Sequence, residues 1–138
     1  MTATHFLDTN ILIYSISNDL RERTKREIAI ALLTERDNAL SVQVLQEFYV
    51  QATRPTRPGA LSHAAAVTLV RSWLRFPIQD MTVSILNGAL DIKATHGLSY
   101  WDAAIVAAAR ALGCREVLSE DMLHGREIER VVIINPFR

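Results

Sequence analysis

Four acidic residues, Asp8, Glu47, Asp102 and Asp121, stand in segments rich in apolar neighbours. Asp8 follows Phe6-Leu7 in HFLDTNILIY, Glu47 lies in VLQEFYV, Asp102 opens LSYWDAAIVAAA, and Asp121 closes VLSED. A carboxylate buried without a partner is costly. Bringing several together adds repulsion, roughly 4 kcal/mol for two unit charges about 4 Å apart at an effective dielectric of 20. A hard divalent cation removes that cost. Magnesium takes oxygen ligands from one or two carboxylates and keeps several waters, which it can turn into nucleophiles while clamping a phosphoryl oxygen. The four histidines (His5, His63, His96, His124) and the single Cys114 have no zinc-like spacing. An oxygen-ligated Mg2+, with Mn2+ as a substitute, is therefore the ion to expect.

Each acid also has a plainer role. Asp8 is well placed to cap a helix beginning near Ile11. Ser99 and Asp102 have capping-box spacing, with Asp in place of the usual Glu. Asp121 suits the cap of a short turn at Met122-Leu123, and Glu47 suits a solvated helix position. Only the set of four argues for chemistry.

Those segments need a scaffold that gathers them. THFLD reads as a short buried strand, followed at once by a helix over TNILIYSIS. Arg21 to Arg36 has a helical recurrence at Ile28, Ala31, Leu32 and Leu33, and ALSV (39–42) reads as a second strand. Leu45, Phe48, Tyr49 and Ala52 share a helical face that ends before Pro55 and Pro58-Gly59. That periodicity sets Glu47 beside Gln43 and Gln51, off the apolar centre. Further helices run from Ser62 to Phe76, from Val83 to about Thr95 and from Tyr100 to Leu112. PIQDM (77–81), REVLS (115–119) and VVIIN (131–135) read as strands three to five. Short apolar strands alternating with helices predict a parallel five-stranded sheet covered on both faces. Ligands in such sheets bind beyond the carboxyl ends of the strands, where Asp8 and Asp121 fall. The helix carrying Asp102 is almost wholly apolar and is expected to be buried, opening toward the same end.

The 138 residues suit a single domain, 1–138, of ordinary globular composition, with 49% hydrophobic and 22% charged residues. No apolar run approaches the roughly 20 residues needed to span a bilayer, and the first residues lack the pattern of a secretion signal. One cysteine excludes an internal disulfide. A cytoplasmic protein is the expectation. The net charge of zero gives nucleic-acid binding no support, yet 13 of the 15 basic residues are arginine, whose planar fork suits phosphate. Arg21, Arg23, Lys25 and Arg26 cluster in one segment. Arg54 and Arg57 bracket a proline loop and are the better candidates for phosphate contacts. Tyr100 and Trp101 have the chemistry of base-stacking platforms, but aromatics opening a buried helix are expected to pack in the core. His124 is expected at the surface or in a structural role.

In order and spacing, DTN after a hydrophobic strand, the helical glutamate of VLQEFYV, the SYWDAAIVAAA helix and the late SED resemble the PIN-domain family, and most closely its VapC-type toxins. The resemblance covers essentially the whole chain. It implies a three-layer α/β/α sandwich and Mg-dependent cleavage of RNA phosphodiester bonds by a metal-activated water. It also implies a homodimer neutralised by a cognate antitoxin. Carried over by position, the acidic and metal-holding site is Asp8, Glu47, Asp102 and Asp121, supported by Thr9, Asn10 and Ser119, with Glu120 adjacent. The absence of excess positive charge departs from what an RNA-cutting protein leads one to expect. A receiver domain would need a lysine near the end of its last strand, and neither Lys25 nor Lys93 is placed there. An aspartyl phosphatase would want an acid where Asn10 stands. The remaining alternative is the same fold binding RNA or protein without turnover, against which the full set of acids argues.

Overall fold

The computed structural model describes residues 3–138. Strand β1 (His5–Leu7) feeds α1 (Thr9–Ser15), and a 3-10 turn over Leu20–Glu22 introduces α2 (Arg23–Leu33). Next come β2 (Asn38–Ser41), α3 (Val42–Ala52) and α4 (His63–Trp73), then β3 (Ile78–Gln79), α5 (Val83–His96) and α6 (Tyr100–Ala111). The chain closes with β4 (Glu116–Leu118), β5 (Glu127–Ile128) and β6 (Val131–Ile134).

The sheet order is β3-β2-β1-β4-β6-β5. Every pairing among the first five of these strands is parallel, and β5 alone runs antiparallel, against β6. Phe6, Leu40, Val117 and Ile133 are completely buried, as strands covered on both faces require. Helix α5 packs on α6, while α1 packs on α2 and α3, and α3 on α4. The result is the expected α/β/α sandwich, with strand β1 central. From β1 the chain first builds toward β2 and β3, then crosses to β4 on the other side. The switch point therefore lies between β1 and β4, where open sheets of this kind place their ligands.

Local chemistry fixes the helix starts. Ser41, Ser62, Thr82 and Ser99 each cap a helix by accepting the backbone N–H three residues on, at Val44, Ala65, Ile85 and Asp102. Helix α1 differs: a carboxylate, Asp8, occupies its N-cap and accepts from Thr9 N–H. Helix α6 is buried from Ala103 through Ala109, which confirms the reading of an internal helix. Its small side chains bring α5 close, so that a Cβ added at Gly88 would stand 3.7 Å from the Ala107 Cβ.

The expected five strands become six. The additional strand, Glu127–Ile128, pairs Glu127 with Val132 and Ile128 with Val131, leaving Glu129 and Arg130 as a two-residue hairpin loop. Both loop residues have positive φ, 52° and 71°. Such turns normally carry Asn-Gly or Asp-Gly, and Glu-Arg gives no such signal. Other limits contract: the first strand stops before Asp8, the third keeps only Ile78–Gln79 of PIQDM, and α4 ends at Trp73.

A left-handed conformation costs a side-chain-bearing residue roughly 1–2 kcal/mol that glycine avoids. Arg130→Gly is therefore expected to raise unfolding free energy by about 1 kcal/mol in urea denaturation. Unchanged or lower stability would show that the hairpin is not strained.

Candidate active site

The four acids come from four elements and wall one cavity of about 330 Å³ at the carboxyl end of the sheet. Asp8 caps α1 directly after β1, Glu47 lies in the middle of α3, Asp102 is in the first turn of α6, and Asp121 follows β4. Asp8 is 6% exposed. Its Oδ1 accepts Thr9 N–H at 2.7 Å and its Oδ2 accepts the Ser119 hydroxyl at 2.7 Å. That second bond crosses the switch point between β1 and β4 and ties the two strand ends together.

The supporting residues expected from sequence fall into place around this bond. Ser119 Oγ also accepts Asp121 N–H at 3.2 Å. Asn10 donates from Nδ2 to Asp121 Oδ2 at 3.1 Å and accepts Glu120 N–H at 3.3 Å. The Thr9 hydroxyl donates to Glu47 Oε2 at 3.0 Å, and Gln43 Nε2 donates to Glu47 Oε1 at 2.8 Å. Gln43 Nε2 also reaches the Trp101 carbonyl at 3.3 Å, linking α3 to the start of α6. At Ser99 half of a capping box forms: its Oγ accepts Asp102 N–H at 3.1 Å. Among the described residues no hydrogen bond returns from the Asp102 carboxylate to the Ser99 backbone.

Hydroxyls, amides and backbone N–H groups orient the carboxylates of Asp8, Glu47 and Asp121. None of the four carries a salt bridge among the described residues. Burial, opposed by the Ser119 and Thr9 hydrogen bonds and reinforced by the charges of Asp121 and Glu47, pushes the Asp8 carboxyl up to about 6. Burial also raises Asp102, with Ser99 opposing and Asp121 and Glu47 adding. Neighbouring Glu120 behaves differently. Despite partial burial, the Lys25 ammonium, at 2.6 Å, and the Tyr14 hydroxyl hold its carboxyl below the usual range. Glu120 is thus neutralised locally, and Asp121 is not.

The donor set fits a hydrated hard cation. All candidate ligands are oxygen, their charge is uncompensated, and no three of the four acids bring oxygens within 4.8 Å of one another. Direct contacts from one or two carboxylates, with water bridging to the others, match that spacing. One other group among the described residues, His5 with Glu35 and Asp37, does cluster within 4.8 Å. It lies at the opposite end of the sheet, where Glu116 also approaches His5.

Arg57 lines the cavity, whereas Arg54 does not. Trp101 corrects the expectation of a core aromatic: it is 63% exposed and forms part of the cavity wall. Tyr100 packs against the core as expected. His124 accepts Asn135 N–H at 2.9 Å, a structural brace. Sequence reasoning did not reach Glu22, which also lines the cavity. It sits in a 3-10 turn amid charged neighbours, where no periodicity marks it. The role of Gln43 as a brace was signalled only by its position four residues before Glu47.

The raised Asp8 carboxyl has a consequence for the metal-free protein. The folded state holds a proton that the unfolded chain releases near 3.8, so the stabilisation is complete below that pH and is lost as pH rises through about 6. Asp102 adds the same sign. Stability in chelator is expected to fall between pH 4 and 6 by about 3 kcal/mol, two pKa units at about 1.4 kcal/mol each, and then level off. Asp8→Asn should flatten this window in denaturation curves taken across pH. An equal slope in the variant would assign the effect elsewhere.

The fold has solved relatives. A chain of a toxin–antitoxin complex from Klebsiella pneumoniae superposes with TM-score 0.71 at 21% identity, covering 96% of this chain and 98% of that one. VapC20 of Mycobacterium tuberculosis, described as a sarcin–ricin loop cleaving toxin, gives 0.65 at 21% identity, covering 86% and 92%. A DNA-bound VapBC complex from Salmonella typhimurium gives 0.64 at 19%, covering 95% and 96%. No curated protein matches in sequence. The family model described as PIN domain matches residues 5–124, a span that contains all four acids and both strands of the switch point. The chain belongs to the PIN-domain family.

Proposed function

We propose that this protein is a Mg-dependent endoribonuclease and the toxin of a type II toxin–antitoxin pair. The observation that carries the reading is the convergence of four carboxylates from four elements on one cavity, three of them oriented by neutral donors and none of the four in a salt bridge among the described residues. The solved relatives, toxins and toxin–antitoxin complexes by description, support it.

Asp8, Asp102 and Asp121 would hold the ion, directly or through water, and Glu47 would position a water. Mn2+ is a workable substitute. A bound divalent ion supplies charge compensation for the acids and polarises water toward a phosphodiester. The protein's own part is orientation. Ser119 and Thr9 N–H fix both oxygens of Asp8, Asn10 fixes Asp121, and the Thr9 hydroxyl with Gln43 fixes Glu47. Arg57 offers a cationic contact for substrate phosphate. Arg54 lies away from the cavity and is the weaker candidate. Partners are RNA, a cognate antitoxin and a second copy of the chain. Support for the copy is a second apolar stripe on α5, Val83, Leu86 and Leu90, exposed and close in sequence to Met81. No helix among the described residues is long and apolar enough to cross a membrane, and a cytoplasmic setting is proposed.

The test is to map cleavage ends on total cellular RNA with Mg2+ and with chelator. New ends that vanish in chelator are expected, and Asp8→Asn or Asp102→Asn should lower their yield by roughly 100-fold or more, the scale of a single preorganised electrostatic group. RNA bound but left uncut by the wild-type protein would favour a binding module without turnover.

Asp102→Asn separates an ion site from a helix cap. The Ser99 cap uses the residue 102 backbone N–H and survives the change, so metal-free stability is expected to hold or rise as repulsion falls. Added Mg2+ should stabilise wild type, by about 2.7 kcal/mol at 100-fold over its dissociation constant, and the variant much less. A fall in metal-free stability with unchanged Mg2+ response would reduce Asp102 to a helix-terminus charge.

A further inference from the structure

A second polar cavity, of about 350 Å³, adjoins the acidic one and shares two wall residues with it, Glu22 and Arg57. It is built where the α1–α2 connection (Ser17, Asn18, Asp19) meets the α3–α4 loop (Pro58, Gly59). Both walls are fixed. The Ser17 hydroxyl donates to Glu22 Oε1 at 2.6 Å, and Asp19 caps the 3-10 turn while accepting from Arg21 Nε and Nη2 at 3.1 and 2.9 Å. On the facing side Arg57 N–H bonds the Arg54 carbonyl and Ala60 N–H bonds the Arg57 carbonyl. Gly59 has φ +72°, and a Cβ there would stand 3.2 Å from Asn18 Nδ2, so the loop lies close against the opposite wall.

Between the two cavities sits Arg57, half-buried. Its guanidinium has no hydrogen-bond or ion-pair partner among the described residues. Of the acids that share its second cavity, Asp19 is taken by Arg21, while Glu22 accepts from the Ser17 hydroxyl and makes no ion pair among the described residues. A half-buried guanidinium whose donors are all free of partners among the described residues can take phosphate oxygens. A polymeric substrate with one phosphodiester at the acids must extend past them, and here the way out passes over Arg57.

The geometry points to this groove as the site of the nucleotide next to the scissile phosphate, gripped through its own phosphate by Arg57 and through sugar or phosphate oxygens by the Asn18 amide. The inference rests on the ribonuclease reading for the identity of the strand. The groove has no aromatic wall, so it recognises backbone and not base. The other flank of the acidic cavity has Trp101, which also borders a neighbouring cavity with Tyr100. The strand thus has a stacking side and a backbone side.

The test uses fluorescence anisotropy with labelled six-nucleotide RNAs of varied sequence, in Ca2+ to hold the acids occupied while limiting turnover. Arg57→Ala is expected to weaken binding about 10-fold for every sequence. It should also lower the slope of log affinity against log salt by about 0.7, the single-strand value for one phosphate contact. Asn18→Ala should weaken binding less, and Arg57→Lys should restore part of the salt slope. Thermal melts confirm that the variants fold. Unchanged affinity and slope in Arg57→Ala, a loss confined to some sequences, or no RNA binding by wild type would each overturn the groove. Arg57-dependent binding without any Mg-dependent cleavage would sink only the nuclease reading, and cleavage with Arg57-independent binding only the groove.

Discussion

Asp8 is a carboxylate forced out of water at the one place where the sheet changes direction. Its 6% exposure is imposed by its position: it must leave β1, cap α1 and face the end of β4 together. Two short hydrogen bonds, from Thr9 N–H and the Ser119 hydroxyl, replace part of its lost hydration, yet the raised carboxyl shows that burial wins. The fold therefore keeps an anion under strain at its switch point. Removing that strain with a neighbouring lysine or arginine would stabilise the chain and fill the position that the proposed function gives to an ion. Stability given up locally for a poised group is a familiar trade at functional sites.

The same logic separates neighbouring acids. Glu120 and Asp121 are adjacent, but Lys25 neutralises Glu120 while Asp121 receives an Asn10 amide. Neutral donors fix a carboxylate in place and leave its charge available, whereas an ion pair uses the charge up. All four cavity acids touched by sequence reasoning lack a salt bridge among the described residues, so the selection is systematic across the cavity. Because donors come from α1 and the end of β4, Asp8, Glu47 and Asp121 are each braced by an element other than their own. Thr9 on Glu47 and Asn10 on Asp121 are the clearest instances.

Much of this was legible because apolar periodicity fixes the strands and helices, and because a charged residue at the end of an apolar run is conspicuous. Asp8, Asp102 and Asp121 are of that kind, and Ser119 and Asn10 follow from their adjacency. What escaped detection has physical reasons. Strand β5 closes through a Glu129-Arg130 turn that lacks the residues favoured at positive φ. Glu22 lies in a single 3-10 turn, too short to show a face. Trp101 belongs to a helix that is buried from its second turn onward but whose first turn projects into the cavity, so the rule for the helix fails at its end.

A net charge of zero gives nucleic-acid binding no support, and its distribution changes what that means. Long-range steering of a polyanion needs a field of one sign over a broad surface, and a chain with 15 basic and 15 acidic residues does not provide one. Recognition of a polyanion, as the proposed function requires, would then rest on contacts made at short range, after encounter. In that regime a partner-free arginine beside the cavity counts for more than a cluster of solvated ones. Arg21 is 90% exposed at its side chain and already holds Asp19, and Arg23 is paired with Glu27. Arg57 is less exposed, unpaired and shared by two cavities. Uncompensated acids repel phosphate unless a cation sits among them, so on the proposed reading substrate binding and ion binding would be coupled. On that reading a strand arriving before the ion would meet repulsion at the acids and attraction only at Arg57, while one arriving after it would find both ends of the cleft favourable.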